Sequence, residues 1–406
     1  MSVKELAQSL FPVLSLLDLN QISYTLDGEM AVALQGVPVG KNRAEDEEKL
    51  CQINFQWDAS EKLQQLLSNY PNYHMSSEVN GRSLKLSDGA VSYCLRCTFG
   101  EVIRTDPDRL LITIADQQIP VKCLDYFLRE LPPNALLRSV IKNYLRQIQQ
   151  TDAFANGDAW NEDAYQAWIK RFGTPEQAGM KIMRNPRARL GTLAPYLSER
   201  QVANRRIINL LGSHGGKAIA LAAMGAKVTV VDISEENAAY ARKTAEAVHI
   251  PIRYIVADVL SLPEEEKTEC YDYVVMELGI LHYFIDLDPL AELVAKLLTK
   301  GGRMVLHEFH PVSMKLVTTK GKKQVVFGNY FDKHLITRTV AYEKHLESTH
   351  ESLKHRVLLK EWTLGEIITA FASAGLHVER LDETPNQKIA DIGLPKLFTL
   401  VCSKLS

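Results

Sequence analysis

The chain has 406 residues, more than one hydrophobic core usually supports, so two domains are expected. Its 46% apolar and 24% charged residues are ordinary for globular cores and exclude general disorder. Net charge is −2 with dispersed basic residues, so no dense positive field draws in nucleic acid or an anionic membrane; a small-molecule partner is expected, with a homo-oligomer left open.

Residues 1–20 hold an apolar stretch at 10–17, flanked by Glu5 and Asp18 and followed by no small-residue cleavage site. That predicts an amphipathic helix, not a signal peptide. Nowhere do about 18 apolar residues run together, the length a bilayer span needs. Six scattered cysteines fit reduced thiols and a cytoplasmic setting.

Strand-like runs at 83–85, 91–99, 110–115 and 119–123, with hairpin signals Asn80-Gly81 and Asp88-Gly89, precede helical runs at 124–130 and 135–149. Residues 1–150 therefore read as a small α+β domain. Cys94 and Cys97 have zinc-like spacing, but there is no second pair, and an i, i+3 pair on a strand faces opposite ways. The polar stretch that follows, containing Asn156-Gly157-Asp158, predicts a linker over 151–163.

From 164 to 406 the pattern changes. A helix with Tyr165, Trp168 and Ile169 along one face leads into five strand-like runs, at 207–211, 227–231, 253–256, 273–276 and 303–306, each separated by a helical or connecting stretch. Such alternation predicts an α/β fold with a mainly parallel sheet covered on both faces.

The first of these strands ends in Asn209-Leu210-Leu211-Gly212-Ser213-His214-Gly215-Gly216, and a helix starts at once. Glycines there let the backbone turn sharply and a ligand approach, while the new helix offers unpaired amides. Asp232 ends the second strand, twenty positions after Gly212, where a carboxylate can accept hydrogen bonds from both hydroxyls of a ribose. Asp258 ends the third, beside the Val259 amide, and can accept from an adenine amino group. Either aspartate alone can equally be a helix N-cap.

With these residues in register, residues 161–403 resemble the class I S-adenosylmethionine-dependent methyltransferases. The resemblance implies a Rossmann-like domain with a seven-stranded sheet and S-adenosylmethionine as cofactor. It places Asn209, Gly212, Gly215, Asp232, Ile233, Asp258, Val259 and Glu277 around that cofactor. It extends through Tyr271-Asp272-Tyr273-Val274-Val275, Gly301-Gly302-Arg303-Met304-Val305-Leu306, Glu361-Trp362-Thr363-Leu364-Gly365-Glu366 and Leu397-Phe398-Thr399-Leu400-Val401. Asn209 stands where the family usually has an acid, and Leu211 and Ser213 replace two customary glycines, so a less open turn is expected.

Two loops at the carboxyl edge of the predicted sheet carry acceptor-side candidates: Glu277-Leu278-Gly279-Ile280-Leu281-His282 after the fourth strand and His307-Glu308-Phe309-His310-Pro311 after the fifth. His282 and His310 are the candidate general bases, since imidazole titrates near neutrality; hydrogen bonding to loop backbone is the competing role. No metal site is expected, because three-residue spacing on a strand turns His307 and His310 to opposite faces. The insertion at 312–359 is either a substrate lid or a small β-extension. The helix bearing Tyr165, Trp168 and Phe172 either covers the cofactor or packs on the sheet.

In the first domain, residues 19–36 and 53–58 weakly resemble the nucleotidyltransferase-like fold. The places of its two metal-binding aspartates look like Gln52 and Asn54, which lack anionic oxygens, so a degenerate domain is implied. For the second domain, methyl transfer from S-adenosylmethionine to a small molecule is the expected function. An NAD-dependent oxidoreductase and a non-catalytic cofactor-binding sensor are the rivals; against the former, residues 209–216 do not give the G-x-G-x-x-G spacing.

Overall fold

The structure is a computed structural model and describes residues 2–39, 49–70, 72–87, 91–268, 270–320, 323–346, 354–385 and 393–405. The chain forms two compact units, residues 1–147 with 331–333, and residues 148–330 with 334–406. No helix among the described residues is long and apolar enough to cross a membrane.

The first unit opens with helix Val3–Leu19, closed at its start by a Ser2/Glu5 capping box and burying Leu6, Leu10, Val13, Leu14 and Leu17 along one face. Its seven-stranded sheet runs, edge to edge, His74–Glu78, Gly81–Ser87, Val91–Thr98, Lys49–Phe55, Tyr24–Asp27, Gln117–Lys122 and Arg109–Ile114. The first hairpin turns at Val79-Asn80, one residue before the expected Asn80-Gly81, because Gly81 already pairs with Glu78 in the strand; Asp88-Gly89 lies outside the described residues. Beside Asn54, one of the two places compared above with metal-binding aspartates, Asp27 starts helix Gly28–Leu34, and its carboxylate accepts from Gly28 N–H and from the Asn54 amide. Asn54 thus acts as a donor to the acid on the neighbouring strand.

The stretch expected as a linker is helical. Helix Leu136–Trp160 runs through most of it, and its later turns, from residue 148, belong to the second unit. Sequence periodicity failed because this segment buries only small residues, Ala153, Asn156, Gly157 and Ala159, instead of a large apolar stripe.

The second unit is built on seven strands: β1 (Arg206–Leu210), β2 (Lys227–Asp232), β3 (Arg253–Val256), β4 (Tyr271–Glu277), β5 (Leu298–Phe309), β6 (Leu376–Pro385) and β7 (Pro395–Lys404). Their order is β3-β2-β1-β4-β5-β7-β6. Strands β1 to β5 pair in parallel, β7 runs antiparallel to β5, and β6 antiparallel to β7, so the sheet is mixed with one reversed strand. The order reverses between β1 and β4, and in such sheets ligands bind in the crevice outside the strand ends at that switch point. Cores on both faces bury the sheet. One includes Leu210, Val274, Met276 and Phe371, the other Ile207, Val230, Ile219 and Leu221. The insertion contains a β-extension of two hairpin-like pairs, Val317–Lys320 with Lys323–Val326 and Leu335–Arg338 with Val357–Lys360.

Candidate active site

A cavity of about 470 Å³ opens at the carboxyl ends of β1, β2, β3 and β4. That volume lies within the usual range for small-molecule sites, ~300–1,000 Å³. Six of the eight residues expected around a cofactor line it: Gly212, Asp232, Ile233, Asp258, Val259 and Glu277.

Asn209 and Gly215 stand behind the wall. The buried Asn209 amide donates to Val275 O, tying β1 to β4. A Cβ on Gly212 would come within 2.6 Å of Val230 Cγ1 and 2.8 Å of Asn209 Oδ1, so only glycine fits between them. Gly215 has φ +73, and a Cβ there would meet Ala241 Cβ at 2.7 Å.

Leu211 and Ser213 replace glycines yet keep a glycine-like backbone, with φ +48 and +47. The turn is therefore as sharp as glycines would make it, at a cost of ~1–3 kcal/mol per strained residue. Asp232 and Tyr254 offset that cost. Ser213 N–H donates to Asp232 Oδ2 at 2.9 Å, and the Tyr254 hydroxyl donates to Ser213 O at 2.7 Å.

Asp232 Oδ1 accepts from Ser234 N–H and from the Asn237 amide, both at 3.0 Å. Asn237 in turn accepts from the Trp168 indole at 2.7 Å. One network thus joins helix Ala164–Phe172 to the β1 turn through the Asp232 carboxylate, and Trp168 and Phe172 from that helix line the cavity. Burial raises the Asp232 pKa, while its donors lower it. An ionised carboxylate offers about four acceptor sites, so capacity remains for a ligand hydroxyl. Asp258 is more open. It caps a short turn by accepting from Leu260 N–H and the Ser261 hydroxyl, so its N-cap role and its place in the cavity wall coexist.

Charge in the cavity is arranged around Glu277. Burial raises its pKa, and Lys217 Nζ, 3.6 Å from its Oε2, lowers it. Arg189 lies close by in the wall. Its guanidinium stacks 4.9 Å over the Phe172 ring, and its buried Nε has no hydrogen-bond partner. A buried donor without an acceptor inside a cavity fits an anionic ligand group. No sequence signal marks it, because helix Pro186–Leu190 is only five residues long. His214 accepts from Gly216 N–H and is packed edge-on by Trp168 and Phe172; burial, with Arg189 and Arg171 nearby, holds its pKa down at about 3.

The two histidine candidates part company. His282 lines the cavity, and burial, with Arg338 nearby, lowers its pKa to about 4, so the imidazole is neutral at physiological pH. His310 is not brought to the cavity: Val312 N–H donates to its Nδ1, and its Nε2 lies 2.7 Å from Glu383. His307 bridges Thr192 and Thr399. Glu308, between them, shapes the site. Its buried carboxylate accepts from the N–H groups of Gly279 (2.5 Å), Ile280 (2.8 Å), Leu281 (3.3 Å) and Phe309 (2.7 Å), fixing the loop that carries His282.

Residues 208–302 match a family described as methyltransferase domain. A stretch of 135 residues, 33% of this chain, is 32% identical to the demethylmenaquinone methyltransferase of Thermus thermophilus and spans 57% of that relative's length. Among solved structures, an S-adenosylmethionine dependent methyltransferase from Mesorhizobium loti is 21% identical, covering 52% of this chain and 98% of its own, with TM-score 0.41. The magnesium protoporphyrin IX methyltransferase of Synechocystis, with bound S-adenosylhomocysteine, is 16% identical, covering 62% of this chain and 99% of its own, with TM-score 0.41. The match to a methyltransferase domain thus falls on the stretch that holds the glycine turn and the strand-end acids lining the cavity.

Proposed function

We propose that this chain methylates a small molecule from S-adenosylmethionine and acts in the cytoplasm, where its six free cysteines stay reduced. The observation that carries the reading is Gly212, Asp232, Asp258 and Glu277 lining one cavity at the switch point of the sheet.

The residues present fit the cofactor. Asp232 and Ile233 suit its ribose, Asp258 and Val259 its adenine, Glu277 its ammonium and Arg189, with its unpaired Nε, its carboxylate. When bound, the cofactor supplies an electrophilic methyl group on a sulfonium. Trp160, Tyr283, Phe284 and Phe309 also stand in the cavity wall, which favours a flat aromatic acceptor. The sequence relative's name, demethylmenaquinone methyltransferase, points the same way. His282 is the candidate catalytic base, and His310 holds structure. Incubation with methyl-labelled S-adenosylmethionine and a panel of phenols, naphthols, carboxylates and amines tests the reading. Label is expected in a hydroxyl-bearing aromatic, and label in none of the panel would reject it.

Asp258→Asn is expected to weaken S-adenosylmethionine binding more than binding of an analogue lacking the adenine amino group, since only the former loses a donor-to-carboxylate bond. Equal losses in calorimetry would mean that Asp258 serves only its turn. A fragment starting at residue 161 lacks the wall residues Gln149, Asn156 and Trp160. It is therefore expected to bind S-adenosylhomocysteine much more weakly than a fragment starting at 136; equal binding would show that the helix contributes nothing.

The first unit, in this reading, does not transfer nucleotides. Gln52 and Asn54 cannot supply the anionic oxygens that Mg²⁺ prefers, and Asn54 is spent as a donor to Asp27.

A further inference from the structure

His282 stands in the walls of two cavities. On one side is the large cavity described above, and on the other a smaller one of about 40 Å³ lined by Glu308, Met314, Lys360, Glu361 and Trp362 among others. The smaller space is large enough to admit a water molecule. Glu361, on its outer side, pairs with Arg338. The His282 ring touches Tyr283, and a Cβ on Gly279 would come within 3.3 Å of it. No hydrogen bond within the protein claims either ring nitrogen among the described residues.

We infer that His282 is a two-sided proton relay, taking the proton of a hydroxyl acceptor from the large cavity and releasing one to water in the small cavity behind it. The inference rests on the methyl-transfer reading. As the acceptor oxygen bonds to the methyl carbon, the carbon–sulfur bond breaks and its electron pair stays on sulfur. The hydroxyl proton moves to the ring nitrogen facing the acceptor, and the proton on the other nitrogen leaves to water. The imidazole ends neutral, in its other tautomer, and exchange with solvent between turnovers resets it. No charge accumulates in a place where burial and Arg338 both oppose an imidazolium. A neutral imidazole is a weak base alone, but a relay needs only one acceptor nitrogen and one donor nitrogen.

Two experiments test this. The first needs no acceptor: in full-length protein labelled with ¹⁵N-histidine and saturated with S-adenosylhomocysteine, the His282 ring N–H is expected to exchange with water several-fold more slowly in Met314→Phe, which fills the small cavity, than in wild type. Ile367→Phe narrows the same space from another wall and replaces it if the first variant does not fold. Unchanged exchange, or a charged ring at pH 7, would overturn the relay. In the second, His282→Gln is expected to slow methylation of un-ionised phenol about a hundredfold while sparing pentafluorophenol, which is already ionised at pH 7. Equal losses on both would also overturn it. If wild type methylates neither compound, the acceptor class fails, and the exchange measurement still decides the relay.

Discussion

Replacing Glu308 with alanine is expected to lower the thermal transition of the second unit by roughly 10 °C. The carboxylate serves four N–H groups in a buried site, and each buried donor left unsatisfied costs ~1–3 kcal/mol. Water entering the gap recovers part of that, leaving about 3–5 kcal/mol, comparable with breaking other buried charged networks. For a domain of this size each kcal/mol shifts the midpoint by ~2–4 °C. Glu308→Gln keeps one acceptor oxygen but turns an NH₂ toward the remaining donors, so about half the loss is expected. Scanning calorimetry of the two variants checks this, and a midpoint within 2 °C (about 1 kcal/mol) of wild type for the alanine variant would show that the loop holds itself.

Asp232→Ala is expected to weaken S-adenosylhomocysteine binding by ~1.5–3 kcal/mol, the value of charge-assisted hydrogen bonds to ribose. From its strand-end position alone, little loss of folding stability is expected. The structure changes that expectation: Ser213 N–H, Ser234 N–H and the Asn237 amide all lose their acceptor, and the strained Ser213 loses one of its two restraints. A lower midpoint should therefore accompany the weaker binding. Asp232→Asn retains an acceptor oxygen and separates the two effects, with most of the stability kept and the affinity still reduced. An alanine variant that binds as tightly as wild type would exclude Asp232 from the cofactor site.

Legibility followed the physics of each signal. The β1 turn, the acids ending β2 and β3, and the five parallel strands were readable because each rests on local order: a strand, a tight turn, then a carboxylate at a strand end. The reversed strand β7 pairs with β5 across a long stretch of sequence, Arg303 with Ser403 and Phe309 with Leu397, and the likeness to known methyltransferases, not periodicity, anticipates a seven-stranded sheet. Helix Leu136–Trp160 was missed past residue 149 because small and polar residues face inward there. Arg189 and Glu308 were missed for another reason. Their importance lies in what surrounds them, a cavity in one case and four converging amides in the other, and neither neighbourhood is contiguous in sequence. Proximity to the strand end points to His310 but does not reveal that its ring turns to Val312 and Glu383.

The central claim, that the cavity at the ends of β1 to β4 holds an S-adenosyl cofactor, is tested most directly by calorimetric titration of the full chain with S-adenosylhomocysteine and, separately, with NAD. One saturable site for S-adenosylhomocysteine, lost in Asp232→Ala, with no heat from NAD, is the predicted result; saturable binding of NAD with none of S-adenosylhomocysteine would contradict the account.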